Sequence, residues 1–456
     1  MNTLQQGVPG IKKVVNNTQV PEYIIKQSDR DFQVMILSFC LASINIILAL
    51  ALAVATSSAS AVKCGDEITA NTVLNADLSC DCSDSEYGCP LIVKGPATLD
   101  LKWHKISCYR NQCLRIGKGA TVKNGYIDGG IRADGALIKN LFVTRSIDFG
   151  IRLLDNCTLH NITTNANYEY GIIIEGGNNN RLYNVTVKNN SEYGIYAYGN
   201  NNTFYNITVK DNGIEGILVE GNNNQVTNSY IGRHKDYDGA SLMGSNNRFI
   251  SNIVEDIGNG CLYASGEGTV IKKNTFRRCS GVRFRYGKNS IIADNKLYAT
   301  SESSISVGRK EDDGSILTDI RISGNRITKS GADGIELYRA QKTVVDGNVI
   351  VDSAGNGIVL DSSSSRCIIK GNTVRKCGLA GLRIRGADGN NVTDNKISFC
   401  RTGMLAGVGA NRNRMINNRA SNSTLFDLND LSANCGSNVW KGNTGKGNVA
   451  CTQNKQ

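Results

Sequence analysis

The chain has three histidines, and one of them, His234, lies in a charged turn, Gly232-Arg-His-Lys-Asp-Tyr-Asp-Gly239. An imidazole among such neighbours suits proton transfer: the ring as base, Tyr237 as acid from the opposite side, and Asp236 or Asp238 to orient the ring. Arg283, about two repeats further on, adds a cation able to stabilise an enolate-like intermediate. Base, acid and cation together are what removal of a proton beside a carboxylate requires. The expected catalytic set is therefore His234, Tyr237, Asp236, Asp238 and Arg283. His104, next to Trp103, and His160, just before a recurring Asn, are expected to be structural.

What positions these groups is a repeat. Segments opening Gly-Ile-x-Ile, or a close variant, begin at Gly150, Gly171, Gly194, Gly216, Gly239, Gly260, Gly281, Ser304, Gly334, Gly357, Gly381 and Gly403. In phase with them run Asn140, Asn161, Asn184, Asn206, Asn228, Asn252, Asn274, Asn295, Asn325, Asn348, Asn372, Asn395 and Asn418, spaced 21 to 24 residues apart except for 30 between Asn295 and Asn325. Units this short hold too few apolar residues for a core of their own and show no helical i, i+3, i+4 pattern, so they must stack as strands. The four prolines, Pro9, Pro21, Pro90 and Pro96, all precede the repeats, as strands paired on both edges demand. The expected fold is all-β, a right-handed parallel β-helix of about 12–13 coils. The Asn series reads as architecture, because Asn tolerates the left-handed turn conformation and its amide can bond its copy one coil away.

Gly-Ile-x-Ile followed by Gly-Asn-Asn-x and Asn-x-Ile/Thr resembles the right-handed parallel β-helix repeat proteins, a group that includes NosD-like periplasmic proteins, alginate C5-epimerases and polysaccharide lyases. The opening Cys64-Gly65-Asp66-Glu67-Ile68-Thr69, and Leu99 through Ser107, resemble the start of that domain in secreted members. The resemblance covers residue 64 to the C-terminus. It implies an acidic polysaccharide as partner and lyase or C5-epimerase chemistry using His, Tyr and Arg. The Asp-Pro-His motif of alginate epimerases is absent, as are the paired Asp and Gly-His-Gly of pectinase-like hydrolases, so the resemblance specifies fold more than activity.

Strand alternation turns the third and fifth residues of Gly-Ile-x-Ile-x outward. The third positions include Tyr196, Arg283, Glu336 and Arg383, with Leu262 in the unit starting at Gly260; the fifth include Tyr198, Glu220, Arg285, Tyr338 and Arg385, with Ala264. Coils rise by about 4.8 Å, close to one sugar residue, so the face offers one subsite per coil. Tyr stacks on sugar rings and Arg clamps carboxylate or sulfate. The expected binding set is Tyr196, Tyr198, Glu220, Arg283, Arg285, Arg309, Glu336, Tyr338, Arg383 and Arg385. Arg309 belongs to the 30-residue interval, where Lys310, Glu311, Asp312 and Asp313 follow it; an insertion there becomes a loop on one face. No cofactor is required and no metal set is expected, although Asp312 and Asp313 would suit Ca²⁺. The alternative is a non-catalytic cell-surface or cell-wall protein using the β-helix as a rigid rod.

The flanks point to export. Residues 1–33 form a tail, and 34–61 a signal peptide or signal-anchor: an uncharged apolar run over 34–55, then Ala59-Ser60-Ala61, a pattern signal peptidase accepts. Residues 62–120 are expected to be a disulfide-rich N-terminal cap and the first coils, 121–430 the parallel β-helix and 431–456 a C-terminal cap. Of 15 cysteines, Cys64, Cys80, Cys82, Cys89, Cys108 and Cys113 cluster at one end and Cys435 and Cys451 at the other, favouring disulfides over metal in an oxidising compartment. Eight N-x-[ST] sequons follow the apolar run. With net charge +11, export favours anionic glycans over nucleic acid. P-loop, dinucleotide and nucleophile-elbow motifs are lacking. A monomer is expected, touching membrane only through 34–55 if that run is uncleaved.

Overall fold

The computed structural model describes residues 61–81, 89–308, 317–361, 363–448 and 450–452. The tail, the apolar run, Arg309, Asp312 and Asp313 lie outside them. Among the described residues no helix is long and apolar enough to cross a membrane.

Residues 62–456 form one compact unit, in which a continuous 44-stranded sheet winds upon itself as a parallel solenoid. Each full turn gives one strand to each of three ladders. In the first, Ile172, Ile195, Ile217, Ala240, Leu262, Val282, Ile305 and Ile335 stand level in successive turns. In the second, Leu182, Phe204, Val226 and Phe249 do so; in the third, Val187, Val209, Ile231 and Val254. All of these point inward and are buried, each of the larger side chains contributing about 1.5–3 kcal/mol by leaving water and Ala240 less.

There are about 15 turns. The repeat markers undercount them because the first turns, with strands Glu67–Ile68, Leu91–Val93 and Lys105–Ile116, pair in the same register without carrying the Gly-Ile opening. Alternation holds, with one correction. Leu262 and Ala264 are buried, not outward, and Tyr263 and Ser265 face out. Cys261 rather than Gly260 stands level with Gly239, which shifts that coil by one residue.

The Asn series resolves into two columns. Asn140, Asn161, Asn184, Asn206 and Asn228 have φ between 51° and 56°, and their amides chain along the outside, Asn161 to Asn140 at 3.0 Å and Asn206 to Asn184 at 2.7 Å. From Asn252 on the asparagines are buried, and the left-handed residue is the one before, such as Ser251 or Lys273. There the backbone N–H and Nδ2 of Asn348 both donate to Asn372 Oδ1, at 2.9 and 3.0 Å, and Asn372 repeats this with Asn395. The exchange falls where Ser229 N–H donates to Asn252 Oδ1 at 2.9 Å.

Disulfides Cys64–Cys80, Cys108–Cys113 and Cys435–Cys451 lie near the ends as expected, and Cys261–Cys279 lies mid-solenoid. Cys64, Cys80 and Cys89 have sulfurs within 4.8 Å of one another, but all three are disulfide-bonded and so are not available as thiolate ligands.

Candidate functional site

Of the five residues expected to do chemistry, the structure brings two into contact. Asp238 precedes the first-ladder strand Ala240–Met243, and Arg283 lies on Val282–Phe284, two coils later. The guanidinium reaches back to pair with Asp238 Oδ1, which also accepts the Gly260 N–H at 2.9 Å. Gly260 is what permits the crossing: a Cβ there would lie 2.3 Å from Arg283 Nη2 and 2.8 Å from Asp238 Oδ1.

Beside this pair is a residue the sequence reading passed over, Glu215. It is 8% exposed, hydrogen-bonded to Ser241, and its Oε1 is buried without a hydrogen-bond partner. Burial pushes its carboxyl up to about 8, with Asp238 adding to the rise while Ser241 and Arg283 oppose it. Burial also raises Asp238, against Arg283 and the Gly260 N–H, which favour its ionised form. Two carboxyls on successive coils thus differ: one is neutral at pH 7, the other is held by a cation.

Toward the N-terminus the site opens onto an aromatic shelf. The rings of Tyr170, Tyr193 and Tyr196 lie 5.7, 6.0 and 5.8 Å apart pairwise, and burial raises all three phenols. Tyr196 bonds Glu220; Tyr198, level with Glu220, is 55% exposed. Tyr170, Tyr193, Glu215 and Asp238 are each the residue just before the repeat Gly. That recurring position was the available signal, and reading only the third and fifth positions missed it.

Three expectations need correcting. His234 is fully buried, its Nδ1 3.3 Å from Asn212 O and its Nε2 unpartnered. It continues an interior column formed by Asn167, Asn190 and Asn212, and burial lowers its pKa. A base there has no substrate to reach. Asp236 and Tyr237 are exposed, so the turn splits between inside and outside. Tyr338 is only 8% exposed, so its ring is not laid open for stacking as that of Tyr198 is. Its hydroxyl bonds Glu336 and lies 3.5 Å from Arg385 Nη2, and burial followed by Glu336 pushes it up to about 12.

Toward the C-terminus, Arg385 is paired with Asp361 and Arg285 donates to Ser306 Oγ at 3.2 Å and to Gly308 O. Burial, then Asp333, raises the Glu336 carboxyl. Arg383, level with Val359 and Leu405, has a buried Nε without a partner.

A family profile described as the right-handed β-helix region matches residues 113–278, 234–374 and 352–453. The chain belongs to the right-handed β-helix family. No curated protein is similar enough in sequence to register as a relative of this β-helix protein. Among solved structures it is similar to the A-module of a mannuronan C-5 epimerase from Azotobacter vinelandii, at 14% identity and TM-score 0.44, over 73% of this chain and 91% of that one. It is also similar to the catalytic unit of an α-1,3-glucanase from Streptomyces thermodiastaticus, at 12% identity and TM-score 0.40, over 84% and 72%. A pectate lyase matches at 15% identity and TM-score 0.31, over 62% and 71%.

Proposed function

We propose that this β-helix protein binds an extended polysaccharide along its first ladder and cleaves it by acid–base chemistry at Glu215 and Asp238. The observation that carries the reading is the contrast between these two carboxyls on successive coils of an outward sheet face. Neutral Glu215 gives its proton to the bridging oxygen as the sugar C–O bond breaks. A water adds its hydroxyl to the sugar carbon and passes its proton to Asp238. Both donors to Asp238 use Oδ1, leaving Oδ2 clear of them for that proton. Tyr170, Tyr193 and Tyr196 hold sugars on one side of the centre. The disulfides at both ends and in mid-solenoid support an exported, oxidising location.

A second reading is favoured by Arg283 and Arg285, which stand two residues apart on the outward face. An acidic sugar's carboxylate would take Arg283 from Asp238, and Glu215 would then serve lyase or C5-epimerase chemistry as proton donor. Ca²⁺ at Asp312 and Asp313 would belong with that reading.

The test is incubation of the protein with alginate, pectate, sulfated glycans and neutral glucans. New reducing ends without ultraviolet absorbance support hydrolysis, absorbing unsaturated ends support the lyase, and C5 inversion by NMR supports the epimerase. Retention on a glycan without product leaves the rigid, non-catalytic alternative. Neither retention nor product on any polymer overturns both readings.

A further inference from the structure

The interior column that holds Asn167, Asn190, Asn212 and His234 passes through Ile257 and Cys279 and then becomes a row of small polar groups. Thr300 stands level with Ser330, Ser330 with Ser353, and Ser353 with Cys377. One coil further, Arg375 is level with Ser398, which puts Cys400 level with Cys377. Thr300, Ser304 and Ser330 satisfy one another by hydroxyl hydrogen bonds of 2.7 to 3.4 Å. Thiols are poor substitutes for that role, since S–H donates and accepts weakly. Yet two buried cysteines occupy consecutive places.

Their sulfurs repeat the same position one coil apart. A Cβ built on Gly357 would lie 3.2 Å from Cys377 Sγ, and one on Gly381 would lie 3.2 Å from Cys400 Sγ. The two thiols hydrogen-bond each other. Strands in one ladder run about 4.8 Å apart, inside the Cα separations that disulfides span. The same column already holds Cys279, which is bonded to Cys261 with Cα atoms 5.3 Å apart. The other two free cysteines among the described residues differ in what stands one coil away, not in their carbonyl contacts: Cys157 Sγ, Cys367 Sγ and Cys400 Sγ lie near Asp155 O at 3.6 Å, Ala340 O at 3.2 Å and Ser398 O at 3.5 Å. The neighbours that Cys157 and Cys367 bond one coil on are Asn180 and Asn390, not cysteines.

We propose that Cys377 and Cys400 are an oxidisable pair that closes to an inter-coil disulfide, cross-linking the C-terminal part of the solenoid. The step is thiol–disulfide exchange with a small external disulfide such as oxidised glutathione. The Cys400 thiolate attacks it and releases one reduced thiol. Cys377 then attacks the mixed disulfide and releases the second, so two protein thiols are oxidised and one external disulfide becomes two thiols. The hydrogen bond from Cys377 lowers the Cys400 thiol and raises that of Cys377, which makes Cys400 the first nucleophile.

Trypsin places each sulfur on its own peptide: residues 377–383, 397–401, 367–370 and 153–181. The protein is examined twice, as purified from an oxidising compartment and after refolding from guanidinium in a glutathione redox buffer. Each sample is alkylated in denaturant without reduction, digested and weighed. The expected result is a 377–383/397–401 linked peptide that splits on reduction, with the Cys157 and Cys367 peptides fully alkylated. Alkylation of Cys377 and Cys400 in both samples overturns the proposal, as does pairing of either with another cysteine. Because refolding exposes both thiols to the oxidant, burial in the native state does not excuse a negative result. In Cys377→Ser the expected product is alkylated Cys400.

Discussion

Arg283 reaches Asp238 across two coils by passing over Gly260, where no side chain stands in the way. Gly260→Ala would put a methyl where the guanidinium now lies. The expected result is release of Arg283 and a fall in kcat/KM of roughly 10- to 100-fold, as for other small displacements of catalytic groups. The melting temperature should fall as well, because Asp238 is left without the cation that faces it in a mostly buried pair. Unchanged turnover would detach the Asp238–Arg283 pair from the chemistry.

Glu215 sets a pH dependence whose sign can be worked out. In the folded protein its carboxyl keeps its proton up to about 8, against an ordinary value of 4.5. Between those values the native state binds more protons than the unfolded chain, so stability falls as pH rises through the window and levels off above it. Each unit is worth about 1.4 kcal/mol. Glu215→Gln does not titrate, so relative to the parent it should gain a few kcal/mol by pH 8 and nothing near pH 4. Denaturant melts at a series of pH values would show this. Turnover of the parent should decline above pH 8, and the variant should be inactive at every pH.

His234→Asn should be benign. The column above it is made of Asn167, Asn190 and Asn212, and an Asn at 234 offers an acceptor for Asn212 Nδ2, now buried without a partner. His234→Ala instead opens a cavity and should cost about 2–4 kcal/mol. Both variants should keep their activity per folded molecule, which calorimetry and an activity assay on the same samples would establish. Loss of activity in His234→Asn at full stability would restore the ring to the mechanism.

Asn348→Ala removes more than one hydrogen bond. Asn325 loses the acceptor for its backbone N–H and one of two for its Nδ2, both at 2.9 Å; Ile322 O loses the Nδ2 donor, and Asn372 Oδ1 keeps only the backbone N–H of residue 348. Buried groups left unpaired cost about 1–3 kcal/mol each, so the loss should exceed that of Asn161→Ala, whose ladder lies outside. Guanidinium melts of the two variants give the comparison directly.

Period and strand polarity were legible in the sequence because stacking forces every coil to repeat the same apolar positions, Ile172 above Ile195 above Ile217. Tyr196 and Arg283 fell on the outward face for the same reason. The phase of a single coil was not legible. Gly260-Cys261 and Asn228-Ser229 look in phase with the other repeats, and which member of each pair enters the interior depends on what the next coil offers as a partner. His234 misled for a related cause: a charged turn in sequence can still send one side chain inward when the column beneath it is polar. Glu215 is invisible to any reading of charge, since what distinguishes it is the water it has lost.

The inner asparagine column has a sense of direction. From Asn274 to Asn443 every side-chain Oδ1 of the column accepts from the backbone N–H of the Asn one coil toward the N-terminus. The side-chain dipoles therefore add head to tail along the axis, much as peptide dipoles do in a helix. The interior of the solenoid therefore has a polarity that its outer surface does not show, and its two ends are not equivalent.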